Sequence, residues 1–552
     1  MFFELLLCLF IGTTFGNVDK QNPPQWNNVY TVKGVLNIPH ADVQEPFHAW
    51  YDGKNGKSRI DYYGNMVRTY QMSPSVFPKY GASFMVVPVT TETELNKDTC
   101  LHVTGTAARR IHIQSVLPDM TGFKFVGTET IQDSETSKWM LVYTTGEMVT
   151  KYTMWVKYRK GLKGGPLPIP VRYEVKGFNT LLGFERDHYY QEYSDYDVNE
   201  FDPNVFVVDR VQCAPFKGPE WSYFATFNPM KEFVHPVHDA HVGSEFDSFK
   251  TKYGRQYSSE EEHAKRLNIF RQNLRFIHSN NRARRGFSLS VNHLADRTDD
   301  ELAALRGLRY SEPIPMGLPF PYGESELREM QAKLPPEFDW RLSGAVTPVK
   351  DQLWCGSCWS YGAVGAVEGA LFLRNGGHLV RLSEQALIDC SWGFGNFGCG
   401  GGFPSRAYQW IMKHGLPTEV DYGSYLAQNG YCHVDNVTLV TTIKDWVDVT
   451  PNNDNALRLA IFKHGPISVG IDASQKSLHF YSQGVYFEPK CKNKPHELDH
   501  VVLAVGYGTL NGQKYWLIKN SWSNMWGNDG YVLMSSRDNN CGVETMPTYV
   551  II

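Results

Sequence analysis

The hydrophobic pattern changes period at Phe246, and that change divides the chain into parts that cannot share one architecture. Before it, Tyr30, Val32, Leu36 and Ile38 alternate with Thr31, Lys33 and Asn37, the two-residue period of a strand with one buried face. Trp50-Tyr51-Asp52-Gly53-Lys54-Asn55-Gly56 reads as a hairpin turn, with glycine available for positive φ. The pattern predicts further strands over 123–130, 138–144, 148–158 and 170–176. Many strands and aromatics with few helical stretches point to a curved antiparallel sheet or open barrel over residues 17–243. His40, His48 and His188 look scattered there and read as satisfied surface or core histidines. Past Phe246 the period lengthens: Glu262, Arg266, Phe270, Asn273, Ile277 and Asn281 recur at steps of three and four, one stripe of a helix.

At 552 residues the chain exceeds what a single core accommodates, so several domains are expected. A net charge of -4 gives no electrostatic reason for a nucleic-acid partner or a hold on anionic membranes. Residues 1–16 read as a secretory signal peptide: the apolar run from Leu5 to Ile11 is short, and Thr14 and Gly16 are small at the -3 and -1 positions of a cut. Glu4 departs from the usual basic start. No other segment reads as a membrane span. The secretory pathway is oxidising, which changes the reading of the cysteines. Of ten, Cys8 lies in the signal, Cys100 and Cys213 lie in the first half, and seven lie between 355 and 541. Six of those seven in three bridges would leave one free thiol; connectivity stays open at this point.

The chemistry concentrates at Gln352-Leu353-Trp354-Cys355-Gly356-Ser357-Cys358-Trp359-Ser360. A cysteine attacks as its thiolate, and a helix N-terminus or a neighbouring imidazolium favours that form. Cys358 precedes an apolar helix predicted over 359–374 and stopped by Asn375-Gly376-Gly377. His500 leads an apolar strand and can supply the imidazolium; Asn520 can accept from that ring and orient it, with Trp522 shielding the bond. Gln352 and the backbone N–H of Cys358 can donate to a developing oxyanion. Trp354-Cys355-Gly356-Ser357-Cys358 could alternatively be a redox Cys-x-x-Cys pair, but that leaves Gln352, His500 and Asn520 unexplained. No second ligand pair has zinc spacing, and no metal or other cofactor is expected.

These motifs resemble the papain/cathepsin family of cysteine proteases. The 262–281 stripe, with Phe246, Phe249, Tyr253 and Gly254 before it and Asn292, Leu294 and Asp296 after it, resembles the inhibitory propeptide of cathepsin L-type zymogens. Ser290, Leu294, Gly400 and Ser523 depart from that family's usual Gly, Phe, Asn and Gly. The resemblance implies an α+β fold: a helical lobe bearing Cys358 and a β-barrel-like lobe bearing His500 and Asn520, with substrate in the cleft between them. It implies a zymogen, a Cys358–His500–Asn520 triad with Gln352, and endopeptidase activity on proteins and peptides.

It further implies bridges Cys355–Cys399, Cys390–Cys432 and Cys491–Cys541, leaving Cys358 free; Cys100 and Cys213 are candidate disulfide cysteines whose pairing stays open at this point. Gly401 and Gly402 match backbone positions that hold an extended peptide. Phe403, Pro404, Gly470, Leu498, Val501 and Met546 match an uncharged S2 pocket that favours a bulky apolar P2 residue, with Asp499 and Trp522 beside the substrate. Asn436-Val437-Thr438 is a glycosylation sequon.

The expected divisions are a signal over 1–16, a β-rich domain over 17–243, propeptide and linker over 244–333, and the peptidase over 334–552, with cleavage near Lys333. The layout resembles the insect 26/29 kDa cysteine proteases. It implies a secreted or lysosomal/granule enzyme inhibited by its own propeptide, and it allows processing into two associated chains. Arg282-Ala283-Arg284-Arg285 reads as a solvated turn, with convertase cleavage as the alternative. A secreted binding or signalling protein with a latent protease-like domain is the competing reading.

Overall fold

The computed structural model describes residues 22–74, 78–89, 94, 96–160, 165–180, 183–208, 213–218, 226–234, 240–283 and 285–552. The expected signal peptide lies outside the described residues. The early alternation folds into one sheet of twelve strands: β1 (Val29–Ile38), β2 (Val43–Asp52), β3 (Lys57–Tyr62), β4 (Val67–Met72), β5 (Ala82–Val89), β6 (Lys97–Thr104), β7 (Lys124–Ile131), β8 (Ser134–Thr145), β9 (Met148–Lys160), β10 (Pro166–Asn179), β11 (Phe184–Asp197) and β12 (Cys213–Pro215). Their order is β12-β6-β5-β4-β3-β2-β1-β11-β10-β9-β8-β7. The β12–β6 pair is parallel, and the Cys100–Cys213 disulfide joins its two strands.

Strand β11, absent from the sequence prediction, sits between β1 and β10. Its inward positions are Tyr189, Gln191 and Tyr193, so it lacks the aliphatic alternation that marks a strand. The inner face packs against Ile111, Val116, Leu117 and Met120, and against Phe227, Met230, Phe233 and Val234 at and beside the short helix α1 (Lys231–Val234).

The longer period that follows gives α2 (Ala240–Tyr253) and α3 (Glu260–Arg282). Ser259 caps α3 by accepting from Glu262 N, and three glutamates in the first turn suit its dipole. Phe270 packs against Phe246 and Phe249 with ring centroids 5.2 and 5.0 Å away. Arg266 pairs with Glu301, and Asn273 Nδ2 donates to Ala295 O at 2.9 Å. Asn281 exchanges two hydrogen bonds with the backbone of Leu289. The stripe thus binds the segment that follows it.

That segment supplies both ends of the second large sheet. Its strands are β13 (Phe287–Leu289), β14 (Leu318–Pro319), β15 (Asp445–Asp448), β16 (Ile467–Ile471), β17 (Tyr481–Tyr486), β18 (His500–Leu510), β19 (Gln513–Lys519), β20 (Tyr531–Ser535) and β21 (Thr548–Ile551). The order is β13-β17-β20-β19-β18-β16-β21-β15-β14, with Phe338–Asp339 pairing onto β18. Edge addition at both ends satisfies backbone groups that would otherwise face water. Residues 311–333, the linker end of the expected 244–333 division, are mostly exposed. They are nonetheless tethered as a strap, because Leu318–Pro319 joins the sheet and Leu327 of the helix Glu324–Gln331 is buried.

The helical lobe surrounds α4 (Cys358–Arg374), with the helices Glu384–Cys390 and Pro404–His414 packed on it. The small residues of α4 have a packing cause. A Cβ on Gly362 would lie 2.4 Å from Val501 Cγ1, and one on Gly369 would lie 2.4 Å from Pro466 Cδ. The helix therefore approaches β18 more closely than any larger side chain permits. That approach sets Cys358 against the start of β18. The fold class is α+β as expected, with two lobes meeting at a cleft.

Candidate active site

Cys358 begins α4, and its helical neighbours leave the first-turn N–H groups without a side-chain cap. Sulfur–sulfur bonds join Cys355 to Cys399, Cys390 to Cys432 and Cys491 to Cys541, and Cys358 is a buried free thiol. His500 opens β18 and Asn520 follows β19 directly, so adjacent strands hold the two side chains. Asn520 Oδ1 lies 2.8 Å from His500 Nε2 and also accepts from Ser521 N at 2.8 Å. The Trp522 ring covers the imidazole with centroids 4.8 Å apart. Gln352 is fully buried: Ser521 Oγ donates to its Oε1 at 2.7 Å, which leaves the amide nitrogen as donor.

A run of the preceding segment fills the cleft. Gln352 Nε2 donates to Leu305 O at 2.9 Å, and Gly307 N donates to Cys358 Sγ at 3.2 Å. Leu308 N donates to Asp499 O at 3.0 Å, while Gly402 N donates to Gly307 O and Arg309 N to Gly402 O, each at 2.9 Å. Leu308 and Gly402 form a parallel bridge. The sulfur thus accepts a hydrogen bond from the run that covers it. Sequence reasoning missed this run. Its available signal is Gly307, whose Cβ would fall 1.8 Å from Gly356 O.

Covering the cleft neutralises both ionisable groups. Burial pushes the Cys358 thiol up to about 12. Burial also lowers His500 to about 4, more than the Asn520 hydrogen bond raises it. Burial thus disfavours the charged form of both groups while the run is in place.

Leu308 occupies the apolar part of the cleft. A Cβ on Gly470 would meet Leu308 Cδ2, Leu498 Cδ1 and Met546 Cε at 3.2, 3.2 and 3.3 Å. Phe403, Pro404, Gly470, Val501 and Met546 line a cavity of about 480 Å³ beside it. Asp448, which the sequence reading did not single out, lines the same cavity and accepts from Gly317 N at 2.8 Å. Gly401 meets the run through Arg309, and the Asp499 carboxylate pairs with Arg306 at 3.2 Å. Trp522 lies over the imidazole instead of lining this cavity.

Two sequence readings away from the cleft are corrected. Arg282 is not solvated, because it pairs with buried Glu45, whereas Arg285 is exposed and pairs with Glu488. Arg284 lies outside the described residues. His40 and His188 are not scattered, because they meet Glu185 with potential donor atoms within 4.8 Å of one another. A bulge between β10 and β11 brings this about, and His188 Nε2 is also 3.0 Å from Glu174 Oε1. Ion pairing accounts for that group, and His40 and Glu185 are exposed.

Residues 334–551 match the papain family cysteine protease model, and residues 246–302 match the cathepsin propeptide inhibitor domain. A cathepsin L-like peptidase of Aedes aegypti is 41% identical over 331 residues, spanning 56% of this chain and 94% of the relative. The chain belongs to the papain family of cysteine proteases. Digestive cysteine proteinase 2 of Homarus americanus is likewise 41% identical, over 56% of this chain and 94% of its own length. Digestive procathepsin L2 proteinase from Tenebrio molitor larval midgut superposes with a TM-score of 0.52 at 32% identity, covering 56% of this chain and all of the other. The protein is accordingly a cathepsin L-like cysteine protease zymogen with its own propeptide inhibitor. No helix among the described residues is long and apolar enough to cross a membrane.

Proposed function

We propose that the mature enzyme is an endopeptidase in which Cys358 is the nucleophile, His500 the proton carrier, Asn520 the group that orients His500, and Gln352 an oxyanion donor. The observation that carries this reading is the convergence of buried Cys358, Gln352 and His500 on the run at 305–307, with Asn520 bonded to His500 behind them. With the run gone, the imidazole can hold the thiol proton as an ion pair. The thiolate attacks the scissile carbonyl carbon, and its oxygen takes the place now filled by Leu305 O, receiving bonds from Gln352 Nε2 and the Cys358 N–H. His500 gives its proton to the departing amine, leaving a thioester on Cys358. The ring then removes a proton from water, whose oxygen attacks that thioester, and the thiol is restored.

The seat of Leu308 supports a bulky apolar P2 preference, with Phe403, Pro404, Gly470, Leu498, Val501 and Met546 around it. Gly401, Gly402 and Asp499 would hold the substrate backbone as they now hold the run. Residues 17–243, 244–333 and 334–552 are then β-rich domain, propeptide with linker, and peptidase, with cleavage near exposed Lys333. Secretory routing to the exterior or a lysosome-like granule suits four disulfides and the exposed sequon at Asn436. Association of the two processed parts is also part of this reading.

The test is hydrolysis at acidic pH of a Phe-Arg fluorogenic peptide after propeptide removal. Activity should fall about 10⁵-fold or more in Cys358→Ala. Unchanged turnover in that variant would refute the nucleophile. Complete absence of turnover in the processed wild type would favour the latent binding or signalling protein. A peptide with Arg at P2 should be cleaved more slowly than one with Leu.

A further inference from the structure

Helix α3 carries a second stripe that the inhibitory signature does not use. Arg275, Ser279 and Arg282 recur at steps of four and three, off the line of Phe270, Asn273, Ile277 and Asn281. This stripe faces the twelve-stranded domain. Arg275 Nη1 and Nη2 donate to the two carboxylate oxygens of Asp187 at 2.7 and 2.9 Å, and its Nε donates to Glu232 Oε1 at 2.7 Å. Arg282 makes a matching fork on Glu45, at 2.6 and 2.7 Å. Tyr63 Oη and Ser279 Oγ lie 2.6 Å apart between the two forks.

These contacts are shielded from water. The Arg275 side chain is 5% exposed and that of Glu45 only 1%. Arg275 lies over Phe233 and Tyr189, and Arg282 over Tyr62, so aromatic faces cover both guanidinium groups. Two-pronged, enclosed pairs of this kind are among the stronger polar contacts, and loss of one partner leaves a buried charge. Among the described residues, the ion pair that directly joins the twelve-stranded domain to the peptidase is far weaker. Lys490 and Asp42 are 3.7 Å apart and both more than 70% exposed.

We propose that the twelve-stranded domain is a brace for the propeptide: its Glu45, Asp187 and Glu232 grip the outer stripe of α3 and thereby hold the run at 305–309 in the cleft. The partner this face fits is an amphipathic helix with arginines seven residues apart, supplied here by the chain itself. The proposal rests on the reading of 305–309 as the inhibitory run. It assigns a task to the part of the chain that the family matches, which begin at residue 246, leave unexplained.

The test uses the full chain carrying Cys358→Ala, so that neither processing nor catalysis enters the readout. Amide hydrogen exchange is followed over 260–282 and 305–309. The near-isosteric pair Glu45→Gln with Asp187→Asn should speed exchange in both segments about 10-fold or more. Reversing one pair, Glu45→Arg with Arg282→Glu in an otherwise unaltered brace, should keep both segments near the parental rates. Parental exchange over 305–309 in the Gln/Asn variant overturns the proposal. So does exchange in the reversed pair as fast as in Glu45→Arg alone, which would mark the contact as structural only. A failed catalytic reading would appear separately, as missing turnover in the processed wild type.

Discussion

The propeptide touches its two neighbours through different chemistry. In the cleft it is held mainly by backbone: Leu305 O, Gly307 N and O, Leu308 N and Arg309 N all bond to the peptidase. At the brace it is held by side chains, with Arg275 and Arg282 forked onto carboxylates. Backbone bonds of an extended chain are available to almost any sequence, so a substrate can replace the run. The arginine forks demand particular residues at particular heights on a helix, and a substrate offers neither. The contrast separates two tasks, occupation of the cleft and retention of what occupies it.

The largest difference should appear in the chemistry of Cys358. With the run in place the thiol is pushed up to about 12 by burial and Gly307 N–H points at the sulfur. Alkylation by iodoacetamide at pH 7 should therefore be about 10³-fold slower, or more, in the intact chain than in the processed enzyme. Equal rates would mean that the cleft is open in the intact chain. The brace variants should fall between these limits.

Gly307→Ala should break the cleft grip while sparing the brace. Its Cβ would meet the Gly356 carbonyl oxygen at 1.8 Å, and backbone cannot swing aside as a flexible side chain can. Overpacking of this size should weaken closure by about 10- to 100-fold, seen as faster exchange over 305–309. Exchange over 260–282 should change much less. Equal loosening of both segments would show that they open as one unit.

Acid should act on the two contacts at different pH. In the Cys358→Ala chain, where the ring has no thiol proton to take on opening, His500 held near 4 under the run returns to an ordinary 6.5, so the open form binds an extra proton from solvent. Stability of closure is then full above pH 6.5 and declines as pH falls toward about 4. Asp499, raised by burial, works in the opposite sense nearer its ordinary range. Between pH 6.5 and 5, cleft opening should rise by up to about 10-fold per pH unit, one proton's worth.

At the brace, His278 is lowered to about 4 by burial, while Glu245 is raised to about 7 by burial, so proton uptake by one offsets release by the other. Glu232, His241, Arg275, Arg282 and Glu45 line one cavity with His278, and His241 and Glu232 also act on Glu245. Burial alone would raise Asp187 and Glu232, but Arg275, joined at Glu232 by His241, more than reverses it, placing Glu232 near 2. Their contribution is complete above the ordinary carboxylate range and is lost only as pH falls toward those lowered values. Exchange over 260–282, corrected for its intrinsic pH dependence, should therefore be nearly flat from pH 6.5 to 5.

Sequence patterns exposed the peptidase better than the brace. A helix-opening cysteine, a histidine leading an apolar strand and a downstream asparagine pointed to one reaction because that chemistry tolerates few residue types. The sulfur's environment was not legible, since it depends on Leu305 and Gly307, distant in sequence and with no local pattern beyond one glycine. Strand β11 escaped because its buried positions are Tyr189, Gln191 and Tyr193. The His40–Glu185–His188 group escaped because the β10–β11 bulge sets its geometry, and a bulge leaves little trace in hydrophobic period. Arg282 was misread because a charged side chain on a helix end is usually solvated. Only the fold places the buried Glu45 opposite it.

The cleft and the brace also differ in how they use left-handed backbone. At the brace, Tyr63 has φ of 51° in a turn with Gly64 and Asn65, and its hydroxyl meets Ser279. The conformation there positions a contact. Beside the cleft, Ser523 has φ of 68°, but its hydroxyl reaches only its neighbours Asn524 and Met525, each at 3.3 Å. A non-glycine residue in this region costs roughly 1–2 kcal/mol, whereas added chain freedom on mutation to glycine returns roughly 0.4–1 kcal/mol of that. Ser523→Gly should therefore stabilise the peptidase by up to about 1 kcal/mol in denaturant unfolding, without changing the exchange of 260–282. Tyr63→Gly should relieve the same kind of strain yet loosen α3, because it removes the ring that bears the Ser279 contact. If Ser523→Gly destabilises instead, its side chain holds the 522–526 turn in place, and the strain is functional on both sides of the propeptide.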